Sequence, residues 1–217
     1  MTPGTTHVLL FGERRAPRAL TGLPVQRVVG RDTELSIDAV IGPPRRLIVV
    51  GADCDLAAVL GRMLRADRLD IEVGYVPRRR TAATRAYRLP TGWRAARRAR
   101  GGMAQRVPLI RDETGAVIVG AASWLPPLDG QALHGEAVVD DTPLFHGDVA
   151  GVRIEPTLTT PGLRASLRAG GWRRWHTGRA AQLGCTGVLV VRDGIPAART
   201  ARRSTFYRNV EGWLLAR

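Results

Sequence analysis

A turn that follows a strongly apolar run carries the residues best placed to contact a ligand. The run Leu47-Ile48-Val49-Val50 leads into Gly51-Ala52-Asp53-Cys54-Asp55. An apolar run of this kind fits a strand covered on both faces, and Asp53 or Asp55 can cap a helix that begins after the turn. A strand, turn and helix in this order place the turn at the carboxyl end of a parallel sheet, where ligands of such sheets bind. The turn is therefore the first candidate site.

A basic stretch from Arg78 to Arg111 is the second candidate. The chain has a net charge of +14, its 33 basic side chains are all arginine, and no aspartate or glutamate occurs in this stretch. The absence of lysine favours codon usage in a GC-rich genome as the simpler explanation, although the rigid guanidinium fork also suits phosphate. Because the local charge has one sign, we expect the stretch to attract anions.

A polar cluster between residues 133 and 148 offers a third possibility. His134, Glu136 and Asp140 alternate onto one face of a predicted strand, a pattern that can hold a divalent cation. Carboxylates are equally common in hairpin turns, and the spacing is not diagnostic of a metal. We favour the hairpin interpretation and predict no metal ligands.

Several kinds of site are excluded by the residues present. A chain without lysine has no Walker-type phosphate loop, and neither H-E-x-x-H nor G-x-S-x-G occurs. Cys54 and Cys185 give no disulfide framework and fit small, reduced, buried side chains. No apolar run has the length of a membrane span, so we expect a cytoplasmic protein.

The elements that must position these residues follow from periodicity. His7–Phe11 and Val25–Val29 predict two strands before the Leu47 run, and Pro43-Pro44 predicts the turn into it. Helical spacing after Asp53 predicts a core face, and Gly92–Arg100 predicts a further helix. The second half favours strands, among them Gly187–Val191. The helical core face comprises Leu56, Val59, Leu60, Met63 and Leu64.

These patterns predict an α/β fold, in which a parallel βαβ N-terminal domain is followed by a β-rich, sandwich-like C-terminal domain. We place the domains at 1–105 and at 106–217. The resemblance described next implies that the first is of the nucleotide-binding type.

Three segments resemble the catalytic domain of diacylglycerol kinases and related bacterial lipid kinases, a superfamily with an NAD kinase-like fold. Val49 to Leu56 is similar to the V-G-G-D-G-T segment, with Gly51 and Asp53 matching. Ala52 and Cys54 stand where the family has glycines, and Asp55 where it has threonine. Tyr75-Val76-Pro77 stands where the family has an I-P-x-G-T-x-N-D stretch, and Arg78-Arg79-Arg80 follows in place of the residues with glycine. Asp193 matches the late D-G-E-P segment, in which Ile195 replaces the glutamate.

The resemblance implies ATP-dependent phosphoryl transfer to a lipid hydroxyl, with Mg²⁺ on the phosphates. Asp53 and Asp193 would be the catalytic residues. Gly51, Ala52, Asp53 and Cys54 would line the nucleotide, and Arg78, Arg79 and Arg80 would replace the charge of the lost backbone cradle. Because the glycines and the glutamate are altered, a protein that retains only nucleotide or phosphate binding, a pseudoenzyme, is a second version of the same hypothesis.

An alternative from another class is a non-enzymatic, arginine-rich protein that binds nucleic acid or an anionic membrane surface. The segment Arg199 to Trp213, where arginines alternate with aromatic residues, could contribute base stacking or simply close the β-rich domain. Strong salt dependence without nucleotide preference would distinguish this alternative from the kinase. A homo-oligomer is compatible with either hypothesis.

Overall fold

The computed structural model describes residues 5–29, 33–42, 45–127, 132–168 and 174–217. The chain forms two compact units. The first comprises residues 1–107 and 211–217, and the second comprises residues 108–210. The predicted turn at Pro43-Pro44 lies outside the described residues.

A six-stranded sheet with one antiparallel edge strand organises the first unit. Its strand order is β2-β1-β3-β4-β17-β5, in which all neighbours are parallel except β17 and β5. The strands are β1 (Thr6–Phe11), β2 (Val25–Val28), β3 (Arg46–Val50), β4 (Glu72–Tyr75), β5 (Ala104–Val107) and β17 (Trp213–Ala216). The helices are α1 (Thr33–Asp38), α2 (Asp53–Arg65), α3 (Ala82–Ala86) and α4 (Gly92–Gly101), with a short 3-10 helix at Arg18–Leu20.

The alternation of side chains along β1 and β3 buries both faces of this sheet. Val8 and Ile48 pack into one cluster with α4, whereas Leu9 and Leu47 point to the opposite face and are equally inaccessible to solvent. The α2 helix contacts β3 and buries the side chains predicted from its spacing, namely Leu56, Val59, Leu60 and Met63, while Leu64 is half-buried. Burial on both faces explains the continuous apolar run that marked β3 in the sequence.

Two contacts fix α4 against the sheet. Gly74 in β4 has no side chain, and a Cβ there would lie 2.5 Å from the Cβ of Ala99, so glycine allows helix and strand to meet. Arg46 donates to the carbonyl oxygens of Ala99, Arg100 and Gly102 at 2.8–3.1 Å and to Glu72 at 2.7 Å. Its positive charge thus satisfies carbonyls at the negative end of the helix dipole.

The second unit is an antiparallel β structure. Its described strands follow the order β13-β12-β11-β8-β14-β16-β6-β7, and β9 pairs with both β14 and β10. The long strand β14 connects two groups of strands. Its first part pairs with β9 and β16, and its last part pairs with β8 and β15. The strands are β6 (Ile110–Asp112), β7 (Val117–Ile118), β8 (Ala122–Leu125), β9 (Leu133–Val139), β10 (Thr142–Val149), β11 (Val152–Pro156), β12 (Leu163–Leu167), β13 (His176–Gly178), β14 (Ala180–Arg192), β15 (Ile195–Pro196) and β16 (Ala201–Arg208).

The predicted fold class, a parallel α/β unit followed by a β-rich unit, is confirmed. The units differ from the expected domains at 1–105 and 106–217 in two respects: the first unit extends to residue 107, and residues 211–217 return to it. The backbone of Trp213 pairs with β5, its side chain is fully buried, and its ring meets Tyr87 edge to face at 5.3 Å. Burial of this large aromatic and backbone pairing on both sides, with β4 and with β5, explain why the last strand belongs there.

Among the described residues, no helix combines the length and the apolar composition that crossing a bilayer requires.

Candidate functional site

In the turn between β3 and α2, the carboxylate of Asp55 occupies the backbone donor at the start of the helix. Asp55 accepts a hydrogen bond from the backbone N–H of Ala52 at 2.7 Å, as the acidic member of a capping box does. A Cβ on Gly51 would lie 2.6 Å from the same carboxylate oxygen, so the glycine is needed for this internal contact. Arg14 approaches Asp55 at 3.6 Å. The positive end of the helix dipole therefore already has an anionic partner from the chain itself.

The side chain of Asp53 connects α2, β4 and α3 of the first unit by hydrogen bonds. One carboxylate oxygen accepts from the hydroxyl of Tyr75 at 2.8 Å, and the other accepts from the backbone N–H of Ala83 at 3.1 Å. Tyr75 and Ala83 are buried. Burial first, and then the charge and hydrogen bond of Asp53, raise the pKa of the Tyr75 hydroxyl far above its ordinary value. The Tyr75 hydroxyl therefore stays protonated and remains a donor to Asp53.

A crevice of about 640 Å³ opens at the carboxyl ends of β1, β3 and β4. Its apolar lining includes Val50, Val76 and Pro77, and arginines and Trp93 surround it. Within the sheet, β2 and β3 lie on opposite sides of β1, so the strand order reverses between β1 and β3. Open α/β sheets bind ligands at such a topological switch point. We call this cavity the switch-point crevice. Its remaining lining residues are Glu13, Arg14, Arg15, Pro17, Arg78, Gly92 and Trp93.

The three consecutive arginines after β4 are separated by the structure. Arg78 lines the switch-point crevice, and Arg80 lines a second, larger cavity beside α3 and α4. Arg79 is exposed and lines neither of these two cavities. Within the described part of the chain, none of the three makes an ion pair. Only Arg78 is therefore placed to contact a ligand at the carboxyl edge of the sheet.

The predicted nucleotide residues of the turn lie together, whereas Asp193 belongs to the second unit. Cys54 is half-buried, with its sulfur 4.0 Å from Asp55. The carboxylate of Asp193 accepts from the backbone N–H groups of Val119, Gly120 and Ala121 at 2.7–2.9 Å. Through these three hydrogen bonds, Asp193 stabilises the conformation of the loop before β8.

The three residues considered as metal ligands, His134, Glu136 and Asp140, each contact a different partner. His134 bonds Asp148 at 2.8 Å, and Asp140 accepts from the backbone N–H groups of Arg179 and Ala180. Glu136 lies 3.8 Å from His146. No group of three histidine, cysteine, aspartate or glutamate side chains is arranged to hold a metal ion within the described residues. Asp140 lies in the turn between β9 and β10, as the hairpin interpretation predicts, whereas His146 and Asp148, which that interpretation also assigned to a turn, lie within β10.

Sequence reasoning missed three residues that shape the site. Arg14 lies three residues after the end of the first strand, and the basic pair Arg14-Arg15 so near a strand end was a usable signal. Trp93 is 59% exposed, which is unusual for tryptophan, and its position among arginines was visible in the sequence. Tyr75 ends a short strand, and no sequence signal linked its hydroxyl to Asp53.

Comparison with known proteins gives the fold. No protein-family model and no curated protein sequence matches this chain. A diacylglycerol kinase structure from Bacillus anthracis str. Sterne matches with a TM-score of 0.71 at 8% identity, over 100% of this chain and 98% of that chain. An NAD kinase from Archaeoglobus fulgidus in complex with ATP matches with a TM-score of 0.62 at 10% identity, over 98% and 94% of the two chains. A yeast NADH kinase complexed with NADH matches at 0.59 and 8% identity, over 99% and 83%.

The resemblance seen in the three sequence segments therefore extends to the whole architecture, and the chain has the fold of the diacylglycerol kinases and NAD kinases.

Proposed function

We propose that the switch-point crevice binds a nucleotide or another phosphate-bearing ligand, and that phosphoryl transfer from it is weak or absent. The observation that carries the proposal is an apolar crevice edged with arginine at the switch point of the sheet. Its volume of about 640 Å³ lies within the range common for small-molecule sites, roughly 300–1,000 Å³.

ATP is the first candidate ligand. Val50, Val76 and the exposed ring of Trp93 offer apolar and aromatic contact to a base, and the guanidinium groups of Arg14 and Arg78 offer charge to phosphates. A structural neighbour with the same fold was solved in complex with ATP. When bound, ATP would supply the phosphoryl group of a kinase reaction.

The turn after β3 argues against efficient transfer. The backbone N–H of Ala52 is already bonded to Asp55, so a phosphate there would meet a carboxylate instead of a free donor. Both oxygens of Asp53 hold groups of the fold. In the late segment Ile195 has no group that accepts a proton. Transfer to a lipid hydroxyl would thus lack a free backbone donor for the phosphate and a side chain that accepts the proton of the hydroxyl.

We expect Mg²⁺ to be held chiefly by the phosphates of the nucleotide. The carboxylates of the turn are engaged as described, Glu13 is an isolated acid at the crevice, and no metal-holding group of three is present in that part of the chain. Mg²⁺ would therefore arrive on the phosphates of the nucleotide. Arg14 and Arg78 would hold the remaining negative charge.

Calorimetric titration with ATP–Mg²⁺ tests the proposal, with Arg78→Gln as the crevice variant and Arg79→Gln as the matched control. Loss of one charged contact is worth about 1.5–3 kcal/mol, so Arg78→Gln is expected to weaken binding at least about tenfold. Arg79→Gln should bind like the unaltered protein. Equal affinities in all three proteins, or equal weakening in both variants, would remove the crevice from the function.

Transfer is measured separately, as labelled phosphate moved from ATP to a lipid extract or to NAD. We expect incorporation close to the protein-free blank. Rapid incorporation that Arg78→Gln lowers and Arg79→Gln leaves unchanged would overturn the statement that transfer is weak while leaving the binding site in place.

A further inference from the structure

Arginine supplies half of the residues that line a second and larger cavity of the first unit. This cavity has a volume of about 1130 Å³ and lies along α3, α4 and the C-terminal residue. We call it the arginine groove. Its lining residues are Arg80, Thr84, Arg85, Arg88, Leu89, Pro90, Thr91, Trp93, Arg94, Arg97, Arg98, Gly101, Gly102 and Arg217.

The charge of the arginine groove is not balanced by the protein. Seven arginines line it and no acidic residue does. Within the described residues none of the seven makes an ion pair, although ten other arginines do. Nη1 of Arg217 is buried without a hydrogen-bond partner. Cations gathered in one cavity repel each other, and a bound polyanion removes that repulsion.

Arg88 occupies a backbone conformation that favours glycine. Its φ is 53°, and it directly follows the C-cap of α3, where Leu89 N–H bonds the carbonyl oxygen of Thr84 at 2.9 Å. Helices commonly place glycine at this position because a side chain is strained there. The fold thus holds a charged side chain of the groove at a position where glycine would be less strained.

Trp93 adds an aromatic surface to the groove. It is exposed in the first turn of α4, with the guanidinium carbons of Arg94 and Arg97 5.4 and 5.9 Å from its ring centroid. Basic grooves with exposed aromatic rings bind single-stranded nucleic acid, because phosphates follow the charge and unstacked bases stack on the ring. In a duplex the bases are already stacked and unavailable to such a ring. The concave, polar lining also does not match a flat bilayer.

We propose that the arginine groove is a binding site for single-stranded nucleic acid, with the arginines of α4 on the phosphates and Trp93 against a base. The arginine groove and the switch-point crevice share Trp93 and otherwise have different lining residues, so the arginines distinguish the two sites. A polyphosphate chain carries the same phosphates but no base, so the role of Trp93 distinguishes the two ligands.

Fluorescence anisotropy with a labelled oligouridine across a salt series tests the proposal. The groove variant is Arg94→Gln/Arg97→Gln/Arg98→Gln. The control is Arg199→Gln/Arg202→Gln/Arg203→Gln, which removes the same charge from exposed arginines of the second unit. Three lost contacts should lower the slope of log affinity against log salt by about 2 in the groove variant, because each phosphate contact to a single strand contributes about 0.7. The control should keep the original slope, and equal loss in both would overturn the proposal.

Two further variants separate nucleic acid from other polyanions and binding from folding. Trp93→Ala is expected to weaken oligouridine about tenfold and to leave inorganic polyphosphate unchanged. Equal weakening of both ligands, or tighter binding to phosphatidylglycerol vesicles than to oligouridine, would contradict the nucleic-acid assignment. Arg88→Gly should retain or raise thermal stability while it weakens oligouridine, and unaltered binding would remove Arg88 from the site. Arg78→Gln should leave oligouridine binding unchanged, which separates this test from that of the crevice.

Discussion

Replacing Asp53 tests whether this residue holds the fold or performs chemistry. Asp53→Ala removes the acceptor of two donors, the Tyr75 hydroxyl and the Ala83 N–H, at 2.8 and 3.1 Å. Each buried donor left without a partner costs about 1–3 kcal/mol. The hydroxyl of Tyr75 lies 3.5 Å from the carbonyl oxygen of Gly51, which offers partial relief. We therefore expect the free energy of unfolding to fall by about 2–5 kcal/mol.

Urea denaturation followed by circular dichroism measures this loss, and a double-mutant cycle with Tyr75→Phe apportions it. Tyr75→Phe alone should cost about 1 kcal/mol, and the double variant should be more stable than the sum of the two losses predicts, because the shared hydrogen bond is counted twice. A protein of unaltered stability with Asp53→Ala, or strictly additive losses, would refute the structural role assigned to Asp53.

Three other substitutions follow from the contacts described above. Gly74→Ala should destabilise the protein by about 1–3 kcal/mol in urea denaturation, because its Cβ would overlap Ala99, and a second change of Ala99→Gly should recover part of the loss. Arg46→Lys should lower stability by about 1–3 kcal/mol, since an ammonium group does not reproduce the fork that bonds Glu72 and the α4 carbonyls together, and a melting temperature equal to that of the unaltered protein would contradict this. Glu155→Gln should destabilise the protein at pH 7 and lose its effect in acid. Burial raises the pKa of the Glu155 carboxyl, but hydrogen bonds from two arginines outweigh burial and lower that pKa. The stabilisation is therefore present above the unfolded pKa of about 4.3 and disappears as the pH falls through the lower folded value. Urea denaturation of both proteins at pH 7 and at pH 3 checks this, and a constant difference between the two pH values would contradict it.

The sequence was sufficient for the elements whose patterns are local. A continuous apolar run and helical spacing identified β3 and α2, because both depend on which faces are buried. The last strand was assigned to the second domain, whereas it lies between β4 and β5 of the first unit, and nothing near Trp213 in the sequence indicates these two partners. Long-range pairing of this kind has no local signal.

The sequence predicted where the candidate residues lie in the fold, but not which groups they contact. Gly51, Asp53 and Asp55 do lie at the carboxyl edge of the parallel sheet, as a strand-turn-helix pattern requires. Their partners were hidden, because the donors to Asp53 lie more than twenty residues away in sequence. The acid-free stretch predicted a basic surface, but only the fold distributes its arginines between a crevice and a groove.

A crystal structure of the protein with ATP–Mg²⁺ tests the central proposal most directly. We predict that the nucleotide lies in the switch-point crevice, with phosphates on the guanidinium groups of Arg14 and Arg78 and with Asp55 still bonded to the N–H of Ala52. Phosphates seated on the backbone N–H groups of residues 51–53, with the Asp55 carboxylate displaced, would show an intact phosphate cradle and contradict this account.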